Sequence, residues 1–557
     1  MVGLAALAIR LVLMLARGDY IVYDEGYYLL LARSLRAGHG FALNGLPHVA
    51  LSPLQPALVA LASAAGASDL WASRLLAALC GALLVFPVAA LARLAGGEKA
   101  ALPAAILVAA SSTLMSFVPF FPGRSWNLYF GSEPLYLLLA FGAVACAVRA
   151  ENGSWRWWVG GGLLAALAYL TRLEGALLCG VLLVVLAARL ALRRAAVAAW
   201  GRLALAAAAG ALVTAPYLIY LHRELGRWAL SGRVQAATQG AAEAPSAVEG
   251  ARSGGQALDA FVWQGQPDAF LRALYGLDPT GTRMASQYWG VAAPAKAAPG
   301  VAPRAVAPAD SGRAAAAPAP ARRGALRVWW DGLTTVVPWW LMALALAGLA
   351  LGSASALPWL LALAVCGLLP SLLTYVEPRS LLPLAPLAAI CAGVALARVA
   401  ARAGERRALP AAAALTALAA LGLGWPAARD GAQAWSQSTP LQQVASARRA
   451  VGEYLASHLG PDAVLMSWHP AVAIWARREW RVLPYDTFER IAAYAAGQRT
   501  AAIVFSRFEP SPIPRPPRAF TVVLPGAAPA GGNAIQLVPV DKTPLVFVGR
   551  VAAPASP

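Results

Sequence analysis

Charged residues that could act together in chemistry stand at four junctions beside long apolar segments. The first junction carries two adjacent carboxylates, Asp24 and Glu25. The other three junctions carry Glu133, Arg172 with Glu174, and Glu377 with Arg379. Charges next to a membrane-crossing segment are costly to hold near hydrocarbon and usually have a function. A pocket of carboxylates and guanidinium groups suits a reaction in which a hydroxyl group attacks and a phosphate leaves.

The acidic residues also have a structural interpretation, which the sequence leaves open. Asp24 can cap the helix predicted over residues 25–36, and Glu25 would then favour the dipole of that helix. Capping and catalysis are compatible, because a cap fixes a carboxylate in space. Glu133 can likewise be a simple dipole partner at the start of the following span. Its predicted position on the outer side of the membrane, level with Asp24, favours a larger role.

The basic residues are open to the same question. Arg172 and Glu174 can form a local ion pair between two spans, and Arg379 can extend its guanidinium to the lipid headgroups. An arginine on the outer side runs against the positive-inside rule, which favours a function for Arg172. The guanidinium of Arg379 can form two bonds to a phosphate. A single topology puts all four junctions on one face of the membrane, and we therefore predict one site.

The elements that position these residues are predicted from composition. Hydrophobic residues make up 59% of the 557 residues and charged residues 13%, and the mean hydropathy is +0.60. Soluble domains have roughly 25% charged residues. Repeated apolar runs of about 20 residues must be helices, because hydrocarbon offers no partner for open backbone groups. We predict a polytopic α-helical membrane protein with about eleven spans, near residues 2–17, 69–92, 100–117, 133–149, 157–171, 174–190, 203–221, 330–351, 354–375, 380–398 and 408–427.

Basic residues between the spans predict the orientation of the chain. With the N-terminus inside, the inner loops hold most of the short-loop arginines and lysines, as the positive-inside rule requires: Arg93, Lys99, Arg149, Arg156, Arg189, Arg193, Arg194, Arg202, Arg398, Arg402, Arg406 and Arg407. This distribution explains the formal net charge of +19 without nucleic acid as a partner. An odd number of spans leaves the C-terminal segment outside.

The sequence predicts a membrane domain over residues 1–428 and a second domain over residues 429–557. The membrane domain includes two external loops, 18–68 and 222–328, and an Ala/Pro-rich tether at 291–325 that we predict to be disordered. In the second domain, helical patterns near 441–458 and 487–498 alternate with β-like runs near 463–468, 501–505, 520–524, 535–540 and 545–551. We predict a small extracytoplasmic α/β domain without chemistry of its own, because no Gly-rich phosphate loop follows a strand.

Histidine and cysteine do not indicate a metal site. The histidines of the predicted external loops, His39, His48 and His222, include no pair with a defined metal spacing. The five cysteines lie inside apolar runs, so neither a disulfide framework nor a cysteine metal site is predicted.

Short motifs around the charged junctions resemble a known family. They are the Asp24-Glu25 loop with Gly38 and Gly40 at its end, Leu51-Ser52-Pro53-Leu54-Gln55-Pro56, Ser132-Glu133, Leu170-Thr171-Arg172-Leu173-Glu174-Gly175, and Glu377-Pro378-Arg379. In order and spacing they are similar to the integral-membrane GT-C glycosyltransferases. Within that superfamily they resemble the bacterial branch related to dolichyl-phosphate-mannose-protein mannosyltransferases and aminoarabinose transferases. Ser380 stands where that family often has a tyrosine.

The resemblance implies an inverting transfer of a sugar from a polyprenyl-phosphate donor to an extracytoplasmic acceptor, at the bacterial plasma membrane. It implies that Asp24 is the catalytic base, with Glu25 and Glu133 as further candidate catalytic residues. Arg379 and Arg172 would bind the donor phosphate. The supporting residues would be Glu174, Glu377 and His48. Some relatives use a divalent cation, and this sequence does not decide that question.

A second function remains open on the sequence alone. A transporter or flippase of lipid-linked sugars would also bind a polyprenyl phosphate, and it would show charges at mid-membrane or internal repeats. Apart from Arg10 in the first apolar run, neither feature is clear. The sequence does not specify the sugar, nor whether the acceptor is a glycolipid, a polysaccharide or a protein.

Overall fold

The fold is described from a computed structural model of the chain. The described residues are 1–16, 21, 23–114, 117–118, 127–128, 131–151, 153–232, 276–277, 282, 325–373, 378–402, 405–436, 440–507, 520–524, 537–542 and 546–551. The predicted tether 291–325 lies almost entirely outside them. The helices of the membrane part are α1 (Val2–Ala16), α2 (Tyr23–Arg36), α3 (Leu54–Ala64), α4 (Asp69–Leu83), α5 (Val85–Gly96), α6 (Glu98–Ala110), α7 (Glu133–Ala150), α8 (Trp155–Thr171), α9 (Glu174–Leu192), α10 (Val197–Leu225), α11 (Ala325–Val336), α12 (Trp339–Leu351), α13 (Leu357–Leu373), α14 (Leu384–Arg402) and α15 (Glu405–Ser436).

Several of these helices can cross a membrane. Within the described residues, five segments are long and apolar enough, namely Asp69–Gly96, Glu133–Ala150, Glu174–Leu192, Val197–Leu225 and Leu384–Arg402. A sixth crossing results if α11 and α12, which are bent by 83°, form one span. This supports a multi-pass membrane protein. Because the predicted spans also use shorter apolar helices, the total of about eleven stays a prediction.

Helix α2 lies where apolar periodicity predicted a helix. Its residues Leu29 and Leu31 are fully buried. The helix ends before Gly38, whose φ of 78° is a left-handed conformation that glycine adopts without strain. It begins at Tyr23, so Asp24 lies inside the first turn and the interpretation of Asp24 as the cap is wrong. Asp24 does not act as the cap because it is already part of the helix, and its carboxylate pairs with an arginine from a distant helix junction, as described below.

Helix α7 separates two clusters of charge. Glu133 stands at its first residue, and Glu151 directly follows its last. At the Glu151 end, Arg189 pairs with this carboxylate and the Nη2 atom of Arg193 lies 2.9 Å from it. Eighteen helical residues separate the two ends by about 27 Å, close to the thickness of the hydrocarbon core. The arginines predicted for an inner loop therefore lie a membrane thickness away from Glu133.

The C-terminal part contains a six-stranded sheet. Its strands are β5 (Val464–Ser467), β6 (Glu479–Val482), β7 (Thr500–Ser506), β8 (Phe520–Leu524), β9 (Leu537–Lys542) and β10 (Val546–Val551); two-residue strands β1 to β4 lie at Ala42–Leu43, Leu46–Pro47, Phe117–Val118 and Asn127–Leu128. The strand order is β6-β5-β7-β8-β10-β9, with β5 parallel to both neighbours. Three helices accompany the sheet, namely α16 (Pro440–His458), α17 (Ala471–Ala476) and α18 (Phe488–Gly497). Sequence analysis did not predict β6 and α17, which are only four and six residues long.

Reporter fusions will test the predicted topology. Helix α15 contains the predicted span 408–427 and continues past the predicted domain boundary at residue 428. We expect a fusion after Arg407 to report the inside and a fusion after Pro557 to report the outside, because loop 398–407 is rich in arginine. Reports from the same side for both fusions would contradict the topology.

Candidate active site

The first turn of α2 places Asp24 beside Arg379. The carboxylate of Asp24 accepts a hydrogen bond from the Nη1 atom of Arg379 across 355 residues of sequence. Arg379 lies in the short 3₁₀ helix Pro378–Leu381, directly before α14. The pair is partly buried. The structure thus brings together the candidate base and the candidate phosphate ligand that the sequence analysis took from opposite ends of the membrane domain.

A second charged cluster forms where α7, α8 and α9 meet. Arg172 follows the last residue of α8 in an extended conformation, and its guanidinium bridges two carboxylates. Its Nη1 atom lies 2.6 Å from Glu133 Oε1, and its Nη2 atom lies 2.9 Å from Glu174 Oε1. Burial lowers the pKa of Arg172, but the charges of Glu174 and Glu133 outweigh burial and hold that pKa well above its ordinary value.

Tyr28 joins the two clusters. It lies one helical turn after Asp24, and its hydroxyl group is 3.0 Å from the hydroxyl of Ser132. Ser132 in turn lies 3.5 Å from Arg172 Nη1. Burial raises the pKa of Tyr28 to about 12; Arg172 opposes this shift, and the charges of Glu133 and Asp24 add to it. Tyr28 is therefore a neutral hydroxyl group in an environment that contains both clusters.

The two guanidinium groups also share this environment. The positive charge of Arg379 acts on Arg172 in the direction opposite to the carboxylates. Two nearby arginines favour an anion between or beside them, because each guanidinium presents planar pairs of N–H donors to phosphate oxygens.

Further polar atoms face the interior near Glu133. Among the described residues, neither Glu133 Oε2 nor the hydroxyl of Tyr136 has a hydrogen-bond partner, although both atoms are buried. Tyr136 follows Glu133 by three residues on α7, so the two side chains share one helix face. A carboxylate oxygen and a phenol can orient a hydroxyl group of a sugar or an acceptor.

Glu25 lies in a different environment from that of its neighbour Asp24. It is fully buried and pairs with the Nε atom of Arg74 on α4 at 3.3 Å. Sequence analysis missed Arg74, which also is buried. The sequence did contain a signal for this pair, because an arginine inside an apolar run needs a partner.

The remaining predicted residues have separate positions. His48 is buried, its Nε2 atom accepts a hydrogen bond from Leu51 N at 2.9 Å, and its carbonyl accepts one from Tyr220 at 3.0 Å. The first bond lies within the loop before α3, and the second connects that loop to helix α10. Glu377 lies outside the described residues. Within those residues, no group of three His, Cys, Asp or Glu side chains is arranged to hold a metal ion.

Comparison with known proteins gives a family match over part of the chain and a similar fold. The family model described as dolichyl-phosphate-mannose-protein mannosyltransferase matches residues 50–220, which include the Glu133–Arg172–Glu174 cluster. No curated protein sequence matches the chain significantly. Among solved structures, ArnT from Cupriavidus metallidurans bound to undecaprenyl phosphate is similar, with a TM-score of 0.52 and 15% identity over 91% of this chain and 93% of that chain.

A second solved structure supports the same fold. The oligosaccharyltransferase from Archaeoglobus fulgidus in the apo form has a TM-score of 0.51 and 15% identity, over 90% of this chain and 69% of that chain. At such identities the likeness concerns the fold. The resemblance predicted from the motifs is confirmed, and the chain has the fold of the GT-C glycosyltransferases.

Proposed function

We propose that the protein is a membrane glycosyltransferase that moves a sugar from a polyprenyl-phosphate donor to the hydroxyl group of an extracytoplasmic acceptor, with inversion at the anomeric carbon. The observation that carries this proposal is the Asp24–Arg379 pair, which Tyr28 and Ser132 connect to the Glu133–Arg172–Glu174 cluster. The proposed base and the two proposed phosphate-binding groups thus lie in neighbouring clusters.

In the proposed reaction, the carboxylate of Asp24 accepts the proton of the acceptor hydroxyl group. The acceptor oxygen forms a bond to the anomeric carbon while the bond from that carbon to the phosphate oxygen breaks. The products are the glycosylated acceptor and a polyprenyl-phosphate anion. A phosphate is a weak base and leaves without strong help from an acid.

The arginines stabilise the leaving group. Arg379 pairs with Asp24 in the structure, and a donor phosphate would compete with the carboxylate for the same guanidinium. Binding of the donor would therefore loosen Asp24 from Arg379 as the acceptor arrives. Arg172 adds a second positive charge, and Glu133 Oε2 can orient a hydroxyl group of the sugar or the acceptor.

The comparisons support both substrate classes. The similar ArnT was solved with undecaprenyl phosphate bound. The similar oligosaccharyltransferase of Archaeoglobus fulgidus was also solved tethered to an acceptor peptide, with a TM-score of 0.51 and 15% identity over 91% of this chain and 68% of that chain. A lipid-linked donor and a separate acceptor therefore fit this fold.

Mass spectrometry of envelope glycolipids and glycoproteins tests the proposal. Cells that produce the wild type, cells without the protein and cells that produce Asp24→Asn are compared. We expect one sugar modification to disappear in the second and third strains. A modification that disappears without the protein but persists with Asp24→Asn would instead favour a transporter of lipid-linked sugars, since movement across the membrane needs no base.

Arg379→Ala and Arg379→Lys are both expected to weaken binding of undecaprenyl phosphate. Lysine keeps the charge but lacks the planar pair of donors, so it should not restore binding fully. Loss of one charged hydrogen bond costs about 1.5–3 kcal/mol, or about 10- to 150-fold in Kd. Titration of the purified variants with the lipid, followed by intrinsic tryptophan fluorescence, measures the change. The matched control is Arg398→Ala on the opposite side of the membrane, and unchanged affinity in both Arg379 variants would contradict the assignment.

Tyr28→Phe is expected to lower turnover without unfolding the protein. The substitution removes the hydroxyl group that bonds Ser132 and leaves the buried ring in place. One neutral hydrogen bond contributes about 1 kcal/mol, so the decrease should be at most about tenfold. Steady-state turnover of the wild-type donor measures it, and Tyr454→Phe on α16 makes the same chemical change elsewhere. Full turnover in Tyr28→Phe would show that the bond to Ser132 does not position the site.

A further inference from the structure

Helix α2, which carries Asp24, is packed between two parts of the protein. Towards the membrane part, Arg33 and Arg36 both bond to Asp69 at the start of α4, at 2.6 and 2.7 Å. Helix α2 also contacts helix α17 and strand β6 of the C-terminal part. A single apolar cluster includes buried side chains of α2 together with those of the sheet and of α16 and α17.

A close approach to the C-terminal part lies at Gly26, two residues after Asp24. A Cβ atom at this position would lie 2.6 Å from Pro470 Cγ and 3.5 Å from Ile474 Cδ1. The first distance is shorter than any ordinary contact between carbon atoms. Glycine is therefore the residue that lets α17 touch the backbone of α2 at the turn that carries the acidic pair.

Contacts of residues that follow Gly26 extend this interface. The rings of Tyr27 and Trp480 are 5.7 Å apart, centre to centre. Arg33 Nη1 donates a hydrogen bond to Ile474 O at 3.1 Å. The loop after α2 also takes part, because Asn44 Oδ1 accepts a hydrogen bond from Val482 N at 2.9 Å. These bonds connect segments that are more than 430 residues apart in the sequence.

We infer that the C-terminal domain is a positioning element for the catalytic helix: the contact of Pro470 and Ile474 with Gly26 fixes the first turn of α2, and with it the carboxylate of Asp24. This inference rests on the proposed function. A helix of 14 residues is only marginally stable by itself and needs packing on its apolar face. Small displacements of a reacting group are expensive, since about 1 Å can lower the rate about a hundredfold.

The test is a steric substitution with a compensating one. Gly26→Ala adds the methyl group that meets Pro470 Cγ, and we expect turnover to fall about tenfold to a hundredfold. Affinity for undecaprenyl phosphate should change less than turnover does, because Arg379 and Arg172 belong to other elements. Adding Pro470→Ala removes the Cγ atom and should restore turnover. Pro470→Ala alone loosens the contact with Gly26 and should lower turnover, and the added methyl group of Gly26→Ala should offset that loss in the double variant.

Hydrogen exchange of α2, measured without any substrate, gives a second readout. We expect faster exchange in Gly26→Ala, and wild-type exchange in the double variant. Gly180→Ala is the matched control, since its Cβ atom would meet nothing within 4 Å. If Gly26→Ala does not fold, Ile474→Ala loosens the same contact without adding atoms, and it should speed exchange of α2 and lower turnover.

The outcomes separate this inference from the proposed function. Wild-type turnover and exchange in Gly26→Ala, or in Ile474→Ala, would overturn the positioning role. A double variant that stays as impaired as Gly26→Ala would overturn it as well. A wild type that transfers no sugar would contradict the proposed function, while the exchange rates of α2 would still decide whether the domain fixes this helix.

Discussion

Asp24→Asn is expected to abolish sugar transfer while the protein remains folded. Asparagine has nearly the same shape as aspartate, and its amide oxygen can still accept a hydrogen bond from Arg379. It cannot accept the proton of the acceptor, so the proposed base is lost. General-base catalysis typically contributes about a hundredfold to ten-thousandfold in rate, and a decrease of that size is expected. Turnover of the purified variant with the wild-type donor, in detergent or liposomes, measures it.

Asp462→Asn is the matched control for this change. Asp462 is an exposed residue before β5, and its replacement should leave turnover unaltered. If Asp24→Asn turns over almost as fast as the wild type, then Asp24 is a structural partner of Arg379 only. Glu133, which has a buried oxygen without a partner among the described residues, would then be the next candidate for the base.

Arg74→Ala is expected to produce the largest loss of stability among single substitutions at the charged residues. It removes a buried guanidinium that pairs with Glu25, which is fully buried. Removal of one member of a buried ion pair costs about 3–5 kcal/mol, because the remaining charge stays buried and loses that partner. Thermal unfolding of the detergent-purified protein, followed by tryptophan fluorescence, should show a clear decrease in the midpoint.

Two comparisons make this result specific. Replacement of both partners, with Arg74→Met and Glu25→Leu together, should be far less destabilising, because no charge is left unpaired. Arg93→Ala disrupts an ion pair with Glu98 in which both side chains are exposed, and it should change stability by no more than about 1 kcal/mol. A protein with Arg74→Ala that unfolds at the wild-type midpoint would show that Glu25 is not dependent on this pair.

Much of the fold could be predicted from local patterns. The apolar periodicity of residues 25–36 and the glycine at position 38 predicted α2 and its end, because both signals act within a few residues. Five β-like runs of the C-terminal segment coincide with β5, β7, β8, β9 and β10. Strand β6 could not be predicted, because two of its four residues, Glu479 and Arg481, are charged and the remaining two are too few to show an apolar pattern. Its conformation depends on pairing with β5.

The sequence could predict which residues belong to the candidate site, but not which of them form pairs. Charges at the ends of apolar segments identified Asp24, Glu133, Arg172, Glu174 and Arg379, because such positions are costly for a charge. The pairing of Asp24 with Arg379 spans 355 residues and depends on tertiary packing, which local patterns do not contain. Tyr28 was not among the predicted site residues, although its hydroxyl group bonds Ser132. A tyrosine can either pack its ring in an apolar core or use its hydroxyl group in a polar site, and the sequence does not distinguish the two.

The bond from Val482 to Asn44 has a consequence for solubility. Strand β6 is one of the two edge strands of the sheet, and successive N–H groups of a strand point to opposite sides. Leu483 N bonds to Ser467 on β5, so Val482 N points away from the sheet, towards the loop of the membrane domain that contains Asn44. An open edge strand recruits other chains and promotes aggregation. The loop after α2 thus covers this edge, and the C-terminal part expressed without the membrane part would expose both the edge and the apolar surface that packs against α2.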